Sequence, residues 1–123
     1  MKIVYATKKV ENVCKDRKTA KKFFDGNEQM VISLMARINA LKQADTLNDI
    51  IVQPTFHFHK LLNKNGRNLE GYYAIDVKSR KDQWRIILEP LDEDEKSFES
   101  KNIDEISKKV RIIEITEVSK HYE

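Results

Sequence analysis

Cysteine occurs once in this chain, proline twice and glycine three times. The lone Cys14 excludes an internal disulfide and fits a reducing compartment. It lies among the apolar positions of a helix-like stretch, so it reads as core rather than as a nucleophile. Gly26, Gly66 and Gly71 are too scattered to build a glycine-rich phosphate loop. No serine-nucleophile elbow and no Cys–His nucleophile pattern is present. No apolar run is long enough to span a membrane. The opening MKIVYATKK meets lysines too soon for a signal peptide. These absences lead to the expectation of a soluble, cytoplasmic protein without membrane contact.

The chain has 123 residues, which fits one domain over 1–123 that can bury a core without a covalent staple. Apolar residues make up 40% and charged residues 35%, a core wrapped in a heavily solvated surface. The net charge of +3 is unevenly spread. Residues 7–24 carry Lys8, Lys9, Lys15, Arg17, Lys18, Lys21 and Lys22 against Glu11 and Asp16, whereas residues 89–105 are dominated by Asp and Glu. Such asymmetry permits a basic surface for a polyanion, and equally an ordinary solvated helix face.

KIVYA at residues 2–6 reads as a short strand, and Thr7 as the cap of a following helix. Val10, Val13, Cys14, Ala20, Phe23 and Phe24 recur at helical spacing, with Arg17 interrupting the stripe. Asp25, Gly26 and Asn27 end that helix. A second stripe, Met30, Val31, Leu34, Met35, Ile38 and Leu41, completes a helical hairpin. Residues 46–52 add one turn before Pro54. The period then changes to two. FHFHKL at 56–61 alternates, which puts Phe56 and Phe58 on one face and His57 and His59 on the other. YYAIDVK, WRIILEP and VRIIEITEV supply further strands, with turns at 63–71 and 79–83 and an acidic loop at 90–105. The order β–α–α–β–β–β predicts an α+β fold, an antiparallel sheet with the N-terminal helical hairpin packed on one face. The other face would carry His57 or His59, Tyr72, Asp76 and Arg85.

Each of these has a plain reading and a chemical one. Arg85, mid-strand between Trp84 and Ile86, is either a fixed phosphate ligand or half of an ion pair with Asp76. His57 and His59 have a metal-compatible spacing but too few further ligands, so no metal is expected; they serve as acid–base groups or as surface residues. Lys60, Lys64 and Arg67, with Tyr72 and Tyr73 nearby, suit RNA, where bases stack and phosphates need counter-charge, or form an ordinary exposed turn.

Several segments together resemble the RelE/ParE toxin superfamily, and within it the HigB-like toxins. They are Phe58-His59-Lys60-Leu61, Gly71-Tyr72-Tyr73-Ala74-Ile75-Asp76, the Trp84-Arg85-Ile86 strand and a terminal strand closing with His121. The resemblance covers nearly the whole chain and lies in the order and spacing of short motifs. It implies a RelE/ParE-like fold and the toxin component of a type II toxin–antitoxin system. The implied activity is ribosome-dependent mRNA endoribonuclease cleavage, needing no metal or cofactor and inhibiting translation. The implied partners are the ribosome, mRNA and a cognate antitoxin, a helix-turn-helix DNA-binding protein.

In the family's pattern His59 matches the histidine of a His-Pro-Leu-Lys-like segment, Arg85 the arginine of the Trp-Arg-Ile strand and His121 the terminal histidine. Leu62 stands where the family has lysine, so Lys60 or Lys64 substitutes. Ser119-Lys120 stands where the family has Asp-Tyr, with Tyr122 following. The implied chemistry is attack by the RNA's own 2′-hydroxyl. His59 and His121 transfer protons, and Arg85 clamps the phosphate. Lys60, Lys64 and Arg67 orient the backbone, and Tyr72 or Tyr122 stacks on a base. Arg85→Ala is then expected to abolish cleavage in a chain that stays folded. The alternatives are a ParE-like inhibitor of DNA gyrase and an inactive module that only binds the antitoxin.

Overall fold

A computed structural model of the chain describes residues 1–63 and 68–120. The elements are β1 (Lys2–Tyr5), α1 (Lys8–Lys15), α2 (Arg17–Phe23), α3 (Glu28–Gln43), α4 (Asn48–Ile51), β2 (His59–Lys60), β3 (Tyr73–Asp76), β4 (Arg85–Leu91), α5 (Ile103–Ile106) and β5 (Ile112–Ser119). Among the described residues the five strands form one sheet in the order β1-β5-β4-β3-β2. The protein is thus of the α+β class.

The sheet is mixed rather than wholly antiparallel. β5 inserts between β1 and β4, running parallel to β1 from Lys2↔Ile112 to Tyr5↔Ile115 and antiparallel to β4. Alternating hydrophobicity reveals which face a residue occupies but is silent about the direction of the neighbouring strand. A parallel pair needs a long crossover, and here everything between β1 and β5 supplies it.

The first helical stretch is two helices. Asp16 adopts an extended backbone (φ −114°, ψ 117°), ends α1 and caps α2 by accepting from the Thr19 N–H at 3.1 Å. Its side chain competes for backbone donors, which is why aspartate favours caps over helix interiors. α2 closes on Asp25 and Gly26, both at positive φ (53° and 85°), where glycine's lack of a Cβ makes the turn cheap. Asn27 then caps α3 by accepting from Met30 N–H at 3.2 Å.

The apolar stripes of these helices meet one face of the sheet. Val13, Ala20, Phe24, Met30, Leu34, Ile38 and Leu41 pack with Ile75, Ile86, Leu88, Ile113, Ile115 and Val118. Each Val, Leu, Ile, Phe or Met side chain among them contributes about 1.5–3 kcal/mol by leaving water. Trp84 locks the start of β4 to α2, its ring 5.2 Å from Phe23 and 5.0 Å, edge-on, from Phe24.

The other sheet face is not uniformly solvated. Leu61, Leu69, Ala74 and Ile87 make a second buried cluster against which Tyr72 packs. The Leu69 N–H donates to Asn63 Oδ1 at 2.8 Å, tying the two flanks of the segment joining β2 to β3.

The expected strand 56–61 is also shorter than its alternation suggested. Pro54–Phe56 forms a 3₁₀ turn, and His57 follows in the left-handed region (φ 49°, ψ 50°), so only His59 and Lys60 pair with β3. The acidic segment after residue 90 is partly ordered into regular structure. It continues β4 to Leu91, turns on Asp92, whose carboxylate accepts from the Asp94 and Lys96 N–H groups, and includes α5.

Candidate functional site

The sheet face turned away from the helices carries its chemistry at one end, where β3 stops, β4 starts and β5 stops. Strand register sets two cross-strand rows there. Asp76 lies opposite Arg85, and Arg85 opposite Ser119; one step inward run His59, Ala74, Ile87 and Glu117. Period-two alternation sends Trp84 and Ile86 to the helices and Arg85 to this face.

Asp76 and Arg85 are 1% and 3% exposed. Arg85 Nε donates to Asp76 Oδ1 at 3.2 Å. The rest of the guanidinium serves the β3–β4 turn: Nη1 donates to the Asp82 and Trp84 carbonyls, the latter at 2.9 Å, and Nη2 to the Arg80 carbonyl at 3.3 Å. The turn curls around the arginine, helped by Trp84 N–H donating to Asp82 Oδ1 at 2.9 Å. Arg85 thus forms the ion pair that adjacent strand positions permit, and its donors are spent on the protein's own oxygens.

His57 completes the line. Its Nδ1 lies 3.0 Å from Asp76 Oδ1. An ionised carboxylate only accepts, so His57 Nδ1 carries the proton and the basic nitrogen of the neutral ring is Nε2. His59 Nδ1 lies 2.7 Å from the His57 carbonyl, which likewise fixes its proton on Nδ1. The two rings are stacked at a tilt, centroids 4.4 Å apart. Phe58, between them, points to the opposite side and stacks on Tyr73 at 5.0 Å.

Arg37 of α3 fastens this arrangement from behind. Its Nε donates to the Asp76 and Val77 carbonyls at 3.0 and 3.2 Å, its Nη2 to the Thr55 carbonyl at 3.1 Å, and its guanidinium lies over the Phe56 ring at 4.7 Å. One side chain therefore ties the end of β3 to the turn that delivers His57. Burial pushes the Arg37 pKa down, partly offset by Asp76, yet a guanidinium stays charged at any ordinary pH.

The sequence-predicted residues divide as follows. His59 and Arg85 come together, joined by His57 and Asp76. Lys60 does not join them: it pairs with Tyr73 and lines a separate pocket of about 360 Å³ with Leu62, Glu70 and Lys101. Tyr72 is half-buried, its ring against the small apolar cluster. Lys64, Arg67, His121 and Tyr122 lie outside the described residues. Exposed cations that motif reading passed over surround the charged end: Lys78, Arg80 and Lys81 on the β3–β4 turn, and Lys120 directly after β5, its Nζ 5.5 Å from the Trp84 ring centre.

Sequence reasoning placed His57 and Asp76 on the right face but did not pair them, because the left-handed turn at His57 has no signature in the alternating pattern. Arg37 was missed altogether. Its only signal is its place three residues after Leu34, on the border of the apolar stripe.

Among the described residues no group of three or more His, Cys, Asp or Glu side chains is placed to hold a metal ion. Among the same residues no helix is long and apolar enough to cross a membrane. Compared with known proteins, the chain matches no family model, no curated protein and no solved structure.

Proposed function

We propose that the chain is a ribosome-dependent mRNA endoribonuclease, the toxin of a type II toxin–antitoxin pair, acting in the cytoplasm and neutralised by a DNA-binding antitoxin. One observation carries the reading: two partly exposed imidazoles with fixed tautomers stand beside a buried carboxylate–guanidinium pair at a sheet end, with exposed lysine and arginine on the adjoining turn and just after β5. Imidazoles transfer protons near neutral pH. The exposed cations on the β3–β4 turn and after β5 match a polyphosphate backbone. The order of elements and the motifs at Phe58–Leu61 and Trp84–Ile86 favour the same reading.

In this reaction the RNA's 2′-hydroxyl attacks the adjacent phosphorus while the bond to the 5′-oxygen breaks. The products are a 2′,3′-cyclic phosphate and a 5′-hydroxyl. The family resemblance implies proton transfer by His59 and His121; His121 lies outside the described residues, and the imidazole beside His59 among the described residues is His57. The electrostatic contribution expected of Arg85 passes to the exposed Arg80, Lys81 and Lys120, since Arg85 is committed inside the protein.

That commitment of Arg85 also favours a second reading, a module that binds an antitoxin and cuts nothing. Expression without the antitoxin separates the two. Translation-dependent new transcript 5′ ends, absent for His59→Gln, support the nuclease. Unhindered growth and intact transcripts support the inert module.

A further inference from the structure

We propose that His57 is the general base of this site and that Asp76 is its positioning residue; this rests on the ribonuclease reading. His57 is held by a buried carboxylate, Nδ1 to Asp76 Oδ1 at 3.0 Å. The carboxylate fixes the ring's tautomer and steadies the imidazolium that forms when Nε2 takes a proton, the logic by which an aspartate supports a catalytic histidine in hydrolases. Asp76 is itself immobilised by Arg85 Nε at 3.2 Å. The backbone behind it is pinned through Arg37, which bonds the carbonyls of Asp76 and of Thr55, two residues before His57.

The geometry at His57 has a cost. A non-glycine residue at φ 49° is uncommon, and strain of this kind gathers at sites where the fold enforces a side-chain direction. Here that backbone brings the ring onto Asp76 while leaving the side chain 26% exposed. The buried carboxylate, the pinned backbone and the partly exposed ring converge on one nitrogen.

The step balances as follows. His57 Nε2 accepts the proton of the RNA 2′-hydroxyl as the oxygen–phosphorus bond forms. The bond from phosphorus to the 5′-oxygen breaks, and that oxygen receives a proton from the imidazolium form of His59. His59 is held through its Nδ1 by the His57 carbonyl at 2.7 Å, so its Nε2 is the donating atom. The two rings exchange protonation states, and solvent resets them. Arg85 acts through Asp76 and does not touch the phosphate.

The test has two arms on the full chain. Imidazole ¹⁵N spectra, assigned with His57→Gln, read the tautomer without any RNA. The neutral His57 ring should carry its proton on Nδ1, and Asp76→Asn should shift the population towards Nε2–H. A neutral wild-type ring protonated on Nε2 overturns the proposal. In the second arm, translating ribosomes are mixed with wild type and with His57→Gln, which leaves the Asp76–Arg85 pair intact and is checked for an unchanged thermal midpoint. The variant should cut mRNA about 10²–10⁴-fold more slowly. Asp76→Asn breaks the buried pair with Arg85, so it is assayed at equal folded concentration, where it should lose rate with little change in apparent affinity. Undiminished cleavage by folded His57→Gln overturns the role of His57. If the wild type cuts nothing while the Nδ1 tautomer is present, the ribonuclease reading falls, the catalytic role falls with it, and the pair is structural.

Discussion

Replacing Arg85 by methionine keeps most of the side-chain volume and removes the charge and the donors. Asp76, 1% exposed, would then keep, among the described residues, the His57 Nδ1–H as its side-chain partner. Breaking a buried ion pair from one side costs about 3–5 kcal/mol, because the remaining charge is stranded away from water. The Arg80, Asp82 and Trp84 carbonyls lose their donor too, at about 1 kcal/mol each where water cannot replace it. Since those carbonyls belong to a turn, water recovers most of that, and the total stays near the pair's own cost of about 4 kcal/mol. A domain of this kind is stable by about 5–15 kcal/mol. The variant should therefore be marginal, with its urea midpoint lowered by about 2 M at a slope of about 2 kcal/mol/M. Adding Asp76→Leu should restore at least half of the loss, since an apolar pair replaces a stranded charge. A single-variant loss under about 1 kcal/mol, well below the range for a broken buried pair, would refute the reasoning. The same logic corrects the sequence-based expectation for Arg85→Ala: lost cleavage in that variant would report lost folding as readily as lost chemistry.

Three further outcomes follow from the geometry. Glu114 sits opposite Glu89 across β4 and β5, and burial, then the neighbouring carboxylate, raises its pKa above the ordinary 4.5. The folded chain thus holds more protons than the unfolded chain between 4.5 and the raised value, so stability falls as pH rises through that window. Glu114→Gln should flatten this slope in urea midpoints taken from about pH 4 to about pH 7; an unchanged slope contradicts the assignment. Cys14 is buried in the core with its thiol pushed up to about 12 by burial. Iodoacetamide at about pH 8 should therefore leave it unmodified until the chain unfolds, by mass spectrometry, and rapid native alkylation contradicts this. Asn27→Ala removes the α3 cap and should cost about 1 kcal/mol in urea unfolding, against a few tenths for Asn27→Gly.

Element type was legible wherever the hydrophobic period was long. The stripe from Met30 to Leu41 is α3 almost residue for residue, and the alternation around Ile86 and Ile113 marks β4 and β5. Competing local chemistry was harder to see. Asp16 could have continued a helix but captures Thr19 N–H instead. His57 could have continued a strand but turns left-handed after the 3₁₀ turn. In the site, the sequence showed that Asp76 and Arg85 could pair, because both sit on short strands facing the same way. It could not show that Arg85 spends its other donors on a turn, since those bonds depend on the path of residues 80–84. The separation of Lys60 from His59 was implicit in alternation and was overlooked: neighbours in a strand point to opposite faces.

The central claim, that this sheet end cuts RNA by imidazole proton transfer, is tested most directly by mapping transcript 5′ ends after induction without an antitoxin. Wild type, His57→Gln and His59→Gln should be compared at equal folded abundance. The account predicts new 5′-hydroxyl ends within translated regions for wild type and their near disappearance in both variants. Wild-type cells with no new ends, or ends that persist unchanged in both folded variants, would contradict it.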